Sequence, residues 1–252
     1  MVQGIKNFKH WFAGFEEQYI VIGGVACELL MSEAELQFRA TKDIDIVLVV
    51  EALTPQFAER FWQYVRNAGY SHINKTTGRM QCCRFEKPQK PEYPVMIELF
   101  AGKPNILDAG CGMKVAVAIS DDVSSLSAIL LDKDYYNLIL EGQICVDGIP
   151  VLKPEYLIPL KIRAWSDLSE RKKNDGKADS RDIRKHRNDV FRMAALISSK
   201  AEVQLTDAIK AEIEFFINAM EHEIIDTKAI GVKNADKQQC LSLLKKCYGI
   251  SC

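Results

Sequence analysis

The sequence predicts an α+β protein of 252 residues: a mixed β-sheet flanked by helices over 1–152, then a helical bundle over 153–252. Three observations carry this expectation. Short apolar runs at residues 19–22, 44–50 and 95–100 have the length and composition of buried strands. Helix-length segments with apolar residues at helical spacing lie between and after them. Beyond Lys153-Pro154 the strand signals stop and the pattern stays helical almost to the end.

Each element has its own reason. Ile5, Phe8, Phe12 and Phe15 recur at helical spacing and predict a helix over 4–17. Tyr19–Ile22 is an apolar strand ending in Gly23-Gly24, after which 25–36 reads as a helix. Residues 39–50 form the next strand. Thr54 is an N-cap with Pro55 at the first helical position, so 55–68 is a helix that Gly69 ends. The stretch 70–100 is β-rich, with a turn at 76–79 between strands and a second strand run in Val95–Phe100. Residues 105–140 carry no clear signal. Residues 142–152 are a small hairpin turning at Asp147-Gly148. Helices are expected near 154–169, 180–198, 206–222 and 235–247, with 171–180 an exposed polar loop.

Composition narrows the function classes. The chain is 48% hydrophobic and 27% charged with a net charge of −1, so no global field marks a nucleic-acid or membrane protein. The eight cysteines form no CxxC pair and no zinc-spaced Cys/His cluster. The opening MVQGIKNFKHWF has no apolar core of a signal peptide, and no apolar run nears the roughly 18 residues of a membrane span. A cytoplasmic protein with reduced thiols and no membrane partner is expected.

The chemistry concentrates around R-A-T-K-D-I-D, residues 39–45. Asp43 and Asp45 are two apart at the start of a strand and project to one side. Their repulsion needs relief, and oxygen-only donors suit a hard divalent cation such as Mg²⁺. Glu98 interrupts another apolar strand, where a carboxylate must be paired, at an end, or bound to a metal. Gly23-Gly24 lies between strand and helix, where backbone N–H groups approach an anion closely. Arg39 can contact phosphate or brace a carboxylate, and Thr41 can orient the loop.

The order strand, Gly23-Gly24, helix, Thr41-Lys42-Asp43-Ile44-Asp45 on a strand, then Glu98 on a later strand resembles the nucleotidyltransferase fold of the DNA polymerase β superfamily. The resemblance covers roughly residues 18 to 200. It implies that Asp43, Asp45 and Glu98 hold two metal ions, Mg²⁺ or Mn²⁺. It also implies that Gly23 and Gly24 hold the triphosphate of an NTP donor, with Arg39 and Thr41 beside it. Many members carry Gly-Ser at the turn; Gly-Gly here removes the serine's phosphate contact.

In the helical half, Pro154-Glu155-x-Leu157 opens a helix carrying Lys161, and an Arg/Asp-rich helix follows. Asp182, Lys185, His186 and Asp189 share one helix face, beside a stripe of Ile183, Val190, Ala194 and Ile197. This half resembles AbiEii-type nucleotidyltransferases, which include abortive-infection and toxin–antitoxin proteins. By that resemblance Lys161 touches nucleotide or phosphate and Asp189, or its rival Asp182, acts as general base. Residues 161–192 hold eleven Lys and Arg against six Asp and Glu, a local net of +5 that suits a triphosphate or an RNA backbone and equally an ordinary solvated surface.

The expected function is metal-dependent transfer of NMP from an NTP to a hydroxyl of RNA or tRNA, protein or a small molecule, by a two-metal mechanism. An antitoxin partner belongs to the same expectation. The alternative is a catalytically silent nucleotide- or RNA-binding module of the same fold, acting through a partner protein.

Overall fold

The computed structural model of the protein describes residues 2–49, 51–71, 84–102 and 132–250. The predicted turn at 76–79, Cys82, Cys83, Cys111 and most of 105–140 lie outside the described residues. Among the described residues there are eight helices and one mixed six-stranded sheet. The helices are α1 (Ile5–Trp11), α2 (Gly23–Glu33), α3 (Pro55–Ala68), α4 (Lys133–Glu141), α5 (Pro154–Asp175), α6 (Ser180–Ala194), α7 (Asp207–Glu221) and α8 (Lys237–Cys247). The strands are β1 (Tyr19–Ile22), β2 (Asp43–Leu48), β3 (Arg84–Glu86), β4 (Met96–Ala101), β5 (Gln143–Val146) and β6 (Ile149–Leu152), in spatial order β3-β4-β2-β1-β6-β5. No helix of the described residues is long and apolar enough to cross a membrane.

The chain divides into two compact units: Met1–Leu29, Arg39–Val123 and Gln143–Leu152 in the first, and Leu30–Phe38, Ser124–Gly142 and Lys153–Cys252 in the second. In the first, the central strands β1, β2 and β4 are apolar because both sheet faces are covered. Ile20, Val21, Ile44, Val47, Ile97 and Phe85 are buried. Helix α1 is fastened by aromatic contacts: the Phe8 and Phe12 rings lie tilted to each other with centroids 4.5 Å apart, and both meet Tyr64 of α3 and Tyr19 of β1. Burial of Tyr19 and Tyr64 pushes both phenol pKa values up, desolvation being the largest cause.

Helix α3 starts and stops where its cap residues dictate. The Thr54 hydroxyl accepts the Phe57 N–H at 3.3 Å and also donates to Gln18 Oε1 at 3.0 Å. Gly69 closes the helix at φ +68°. Thr54→Ala is expected to lower stability by about 1 kcal/mol, read as a smaller urea midpoint at unchanged slope.

Several boundaries differ from the sequence expectation, each for a local reason. The first helix ends at Trp11, not 17, because the chain bends and Gly14 takes φ +87°. Helix α2 begins at Gly23 itself and stops at Glu33, with Glu35 at φ +57°. Strand β2 begins at Asp43 rather than 39, where its partner β4 begins opposite it at Met96. The predicted loop at 171–180 is helical to Asp175, since Arg171, Lys172 and Lys173 are good helix formers, and Gly176 at φ +68° ends it. Helix α6 ends at Ala194, where the Leu196 N–H closes a tighter turn on Met193 O at 2.9 Å. Helix α4 lies in the stretch that carried no clear signal. It is capped by Asp132, whose carboxylate accepts the N–H groups of Asp134 and Tyr135.

The hairpin of β5 and β6 turns where expected: Asp147 and Gly148 both have positive φ, +47° and +68°, the pattern of a type I′ turn. Lys9 of α1 donates to Asp147 at 2.8 Å and holds that exposed carboxyl below its usual range.

In the second unit α5 and α6 pack along each other, and α5 also packs on α7. Ile158, Ile162, Val190, Phe191, Ile213 and Phe216 are fully buried there. Arg163 of α5 bridges Asp167 and Glu212, and the Tyr135 hydroxyl donates to Glu212 at 2.8 Å.

Candidate functional site

The sheet register builds a carboxylate row. Strands β2 and β4 run parallel with Asp43 opposite Met96 and Asp45 opposite Glu98. Residues opposite each other on neighbouring strands share a sheet face, about 4.8 Å apart. Asp43, Asp45 and Glu98 therefore lie on one face, and all three are half-buried.

Strand β1 brings the glycines to the same place. Ile22 is opposite Asp45 in the antiparallel pair, so Gly23 follows beside that carboxylate. Gly23 has φ +70°, and a Cβ built on it falls 1.8 Å from Asp45 Oδ2. A Cβ on Gly24 falls 2.6 Å from Thr41 Oγ1 and 3.4 Å from Arg39 Nη2. Gly23, Gly24, Arg39, Thr41 and Asp45 thus form one cluster at the N-terminus of α2. An anionic oxygen there is favoured by the helix dipole, and the oxygen in that position is Asp45's own.

Glu98 has a partner the sequence reading missed. Arg84 of β3 is opposite Glu98 in the antiparallel β3–β4 pair. Its Nε donates to Glu98 Oε1 at 2.7 Å, and its Nη2 reaches the same oxygen at 2.5 Å. The signal was the R-F-E alternation around a buried Phe85, which is silent until the strand pairing is known.

The three carboxylates on one sheet face are all-oxygen donors, the type that a hard divalent cation takes. Among the described residues, no three His, Cys, Asp or Glu side chains are drawn together closely enough to hold an ion as they stand. The Glu98 carboxylate is turned to account by Arg84 instead.

The second unit holds its own charged cluster. Lys161 of α5 and Asp189 of α6 are both buried, 4% and 0% exposed, with Nζ 3.4 Å from Asp189 Oδ2. Arg192, one turn on, donates from Nη1 to Asp189 Oδ1 at 2.9 Å and from Nε to Ile230 O at 2.9 Å. Its guanidinium lies 5.4 Å from the Phe38 ring centre. One carboxylate thus sits between two cations. Asp182 is exposed in the first turn of α6, and Lys185 and His186 are half-buried. Arg192 was not singled out from the sequence, though its i+3 spacing from Asp189 is the available signal.

Cys240 and Cys247 are buried, and desolvation pushes them up to about 11 and about 12. The cations at 171, 172, 173, 177, 181 and 184 are exposed around the α5–α6 turn. Two of the nearby acids have local duties: Asp179 caps α6 by accepting the Arg181 N–H, and Asp175 accepts the Lys177 N–H.

Comparison with protein-family models, with curated proteins and with solved structures finds no match for this chain.

Proposed function

We propose that the protein is a metal-dependent nucleotidyltransferase that moves NMP from an NTP to a hydroxyl acceptor. The observation that carries the reading is the in-register pair Asp45 and Glu98, with Asp43 on the same face and the Gly23-Gly24 turn packed against Asp45. Clustered carboxylates beside a glycine turn at a helix N-terminus suit a cation-bound triphosphate better than any uncharged substrate.

In this reading Asp43, Asp45 and Glu98 would hold Mg²⁺ or Mn²⁺, which would supply activation of the attacking hydroxyl and neutralisation of the leaving pyrophosphate. The chain's own part is positioning. The N–H groups at Gly23 and Gly24 would be the phosphate contacts, and glycine there leaves room for Asp45 and Thr41. Arg39, beside Gly24, is a phosphate contact. Lys161, a phosphate contact by the resemblance alone, is held within the second unit by Asp189. The burial of Asp189 between two cations supports that positioning role over the role of a base, which must reach the acceptor's proton. Exposed cations at the α5–α6 turn support an anionic acceptor such as RNA. A toxin of this type, restrained by an antitoxin, is part of the same proposal.

The test is transfer itself. The protein is incubated with Mg²⁺ and each of the four α-³²P NTPs, with total RNA or a cell protein extract as acceptor, beside the Asp43→Ala/Asp45→Ala protein. Label entering RNA or protein and falling to background in the variant is the expected result. NTP binding without label in any acceptor overturns transfer and favours the silent nucleotide-binding module.

A further inference from the structure

We propose that the second unit binds the phosphate monoester of a small organic molecule, in a cleft between the 202–205 segment and the C-terminal end of α8. The site uses none of the residues of the carboxylate row and does not depend on the proposed transfer. The cleft holds about 300 Å³, the lower end of the range for small-molecule sites. Glu202, Gln204, Lys210, Lys246, Tyr248 and Gly249 contribute to its walls.

Main-chain bonds build the frame. The Val203 N–H donates to Cys247 O at 2.9 Å and ties the segment before α7 to the end of α8. Tyr248 is buried, and its hydroxyl donates to Glu155 O at 2.7 Å, which anchors that wall on α5. Gly249 follows at φ +59°, and a Cβ built on it falls 3.7 Å from Lys210 Nζ. The ammonium carried by α7 therefore lies beside the turn that ends α8.

The two lysines have no internal task. A lysine at a helix C-terminus commonly serves the last carbonyls. Here main-chain N–H groups have taken them: Tyr248 bonds Leu244 O at 3.1 Å, Ile250 bonds Lys245 O at 2.9 Å and Gly249 bonds Lys246 O at 3.3 Å. The neighbouring Lys245 pairs with Glu221 at 3.0 Å. Among the described residues, the Lys210 and Lys246 side chains make no hydrogen bond or ion pair. Lys210 also stands near the N-terminal end of α7, where the helix dipole disfavours a cation.

Two cations against the one carboxylate of Glu202 leave the cleft net positive, so an anion is its ligand. The side chains select among anions. A carboxylate is matched best by the fork of an arginine, whereas lysine is a point charge that suits a phosphate. A phosphate monoester carries close to two negative charges at neutral pH, about one for each lysine. The volume exceeds what a phosphate group fills and leaves room for the organic part.

The experiment is a titration of the full chain with ribose 5-phosphate, followed by amide chemical shifts in heteronuclear NMR spectra, which also report folding. Saturable shifts at Val203, Lys210 and Gly249 are expected. Ribose is expected to give none, and inorganic phosphate to bind more weakly. Lys210→Gln and Lys246→Gln are each expected to weaken binding about fivefold, and Glu202→Gln to tighten it about twofold. Lys233→Gln removes an exposed lysine elsewhere in the same unit and is expected to leave affinity unchanged. No saturable shift at those three amides overturns the site. Unchanged affinity in folded Lys210→Gln and Lys246→Gln, or an equal loss in Lys233→Gln, overturns the role of the two lysines and the site with it. Inorganic phosphate binding as tightly as ribose 5-phosphate overturns an organic ester as the ligand.

Discussion

Asp189→Ala is expected to destabilise the protein by about 3–5 kcal/mol. The carboxylate is fully buried between Lys161 at 3.4 Å and Arg192 at 2.9 Å, so its removal takes the anion from between two cations, one of them the buried Lys161. Arg192 retains the Ile230 carbonyl and the Phe38 ring, and Lys161 is only 4% exposed inside α5. Urea unfolding measures the loss. Asp182→Ala, on the exposed first turn of the same helix, is the control and is expected to stay within about 0.5 kcal/mol. Lys161→Met combined with Asp189→Leu removes both charges of the pair and is expected to recover part of the loss. A loss below about 1 kcal/mol for Asp189→Ala refutes a tight buried pair.

Gly23→Ala carries the second large effect, and it joins stability to the site. At φ +70° an alanine costs roughly 1–2 kcal/mol for its backbone alone. The new methyl also falls 1.8 Å from Asp45 Oδ2, so the carboxylate must leave its place. Gly14→Ala separates the two costs, because Gly14 has φ +87° and no atom within 4 Å of its Cβ. Thermal unfolding is expected to show Gly23→Ala well below Gly14→Ala. Under the proposed metal reading, Mn²⁺ affinity is expected to fall in Gly23→Ala and to stay unchanged in Gly14→Ala. Equal midpoints for the two variants would show that Asp45 is not packed against Gly23.

Both predictions use residues that the sequence had already singled out, but their surroundings came from different sources. The D-x-D pattern places Asp43 and Asp45 on one strand face without knowledge of any partner, because strand periodicity is local. Thr54, Pro55 and Gly69 delimit α3 for the same reason: caps act within a few residues. Arg84 is different. It meets Glu98 through a hydrogen-bonded register between strands that sequence periodicity does not specify. The helix at Lys133–Glu141 was missed because its apolar residues gain their meaning from burial in the second unit.

The sequence by itself determined the mixed α/β character, the succession of most elements, the hairpin turn at Asp147-Gly148, and the acidic and glycine residues worth following. These rest on backbone geometry and short-range periodicity, which each segment carries within itself. Only the tertiary structure decided that Asp45 lies over Gly23 and beside Glu98, and that Arg84 holds Glu98. It alone placed Asp189 in a buried pair with Lys161 and Arg192 and left Asp182 in solvent. Those outcomes depend on strand register and helix packing, where residues far apart in the chain share a low-dielectric neighbourhood and each charge takes the partner that packing brings within reach.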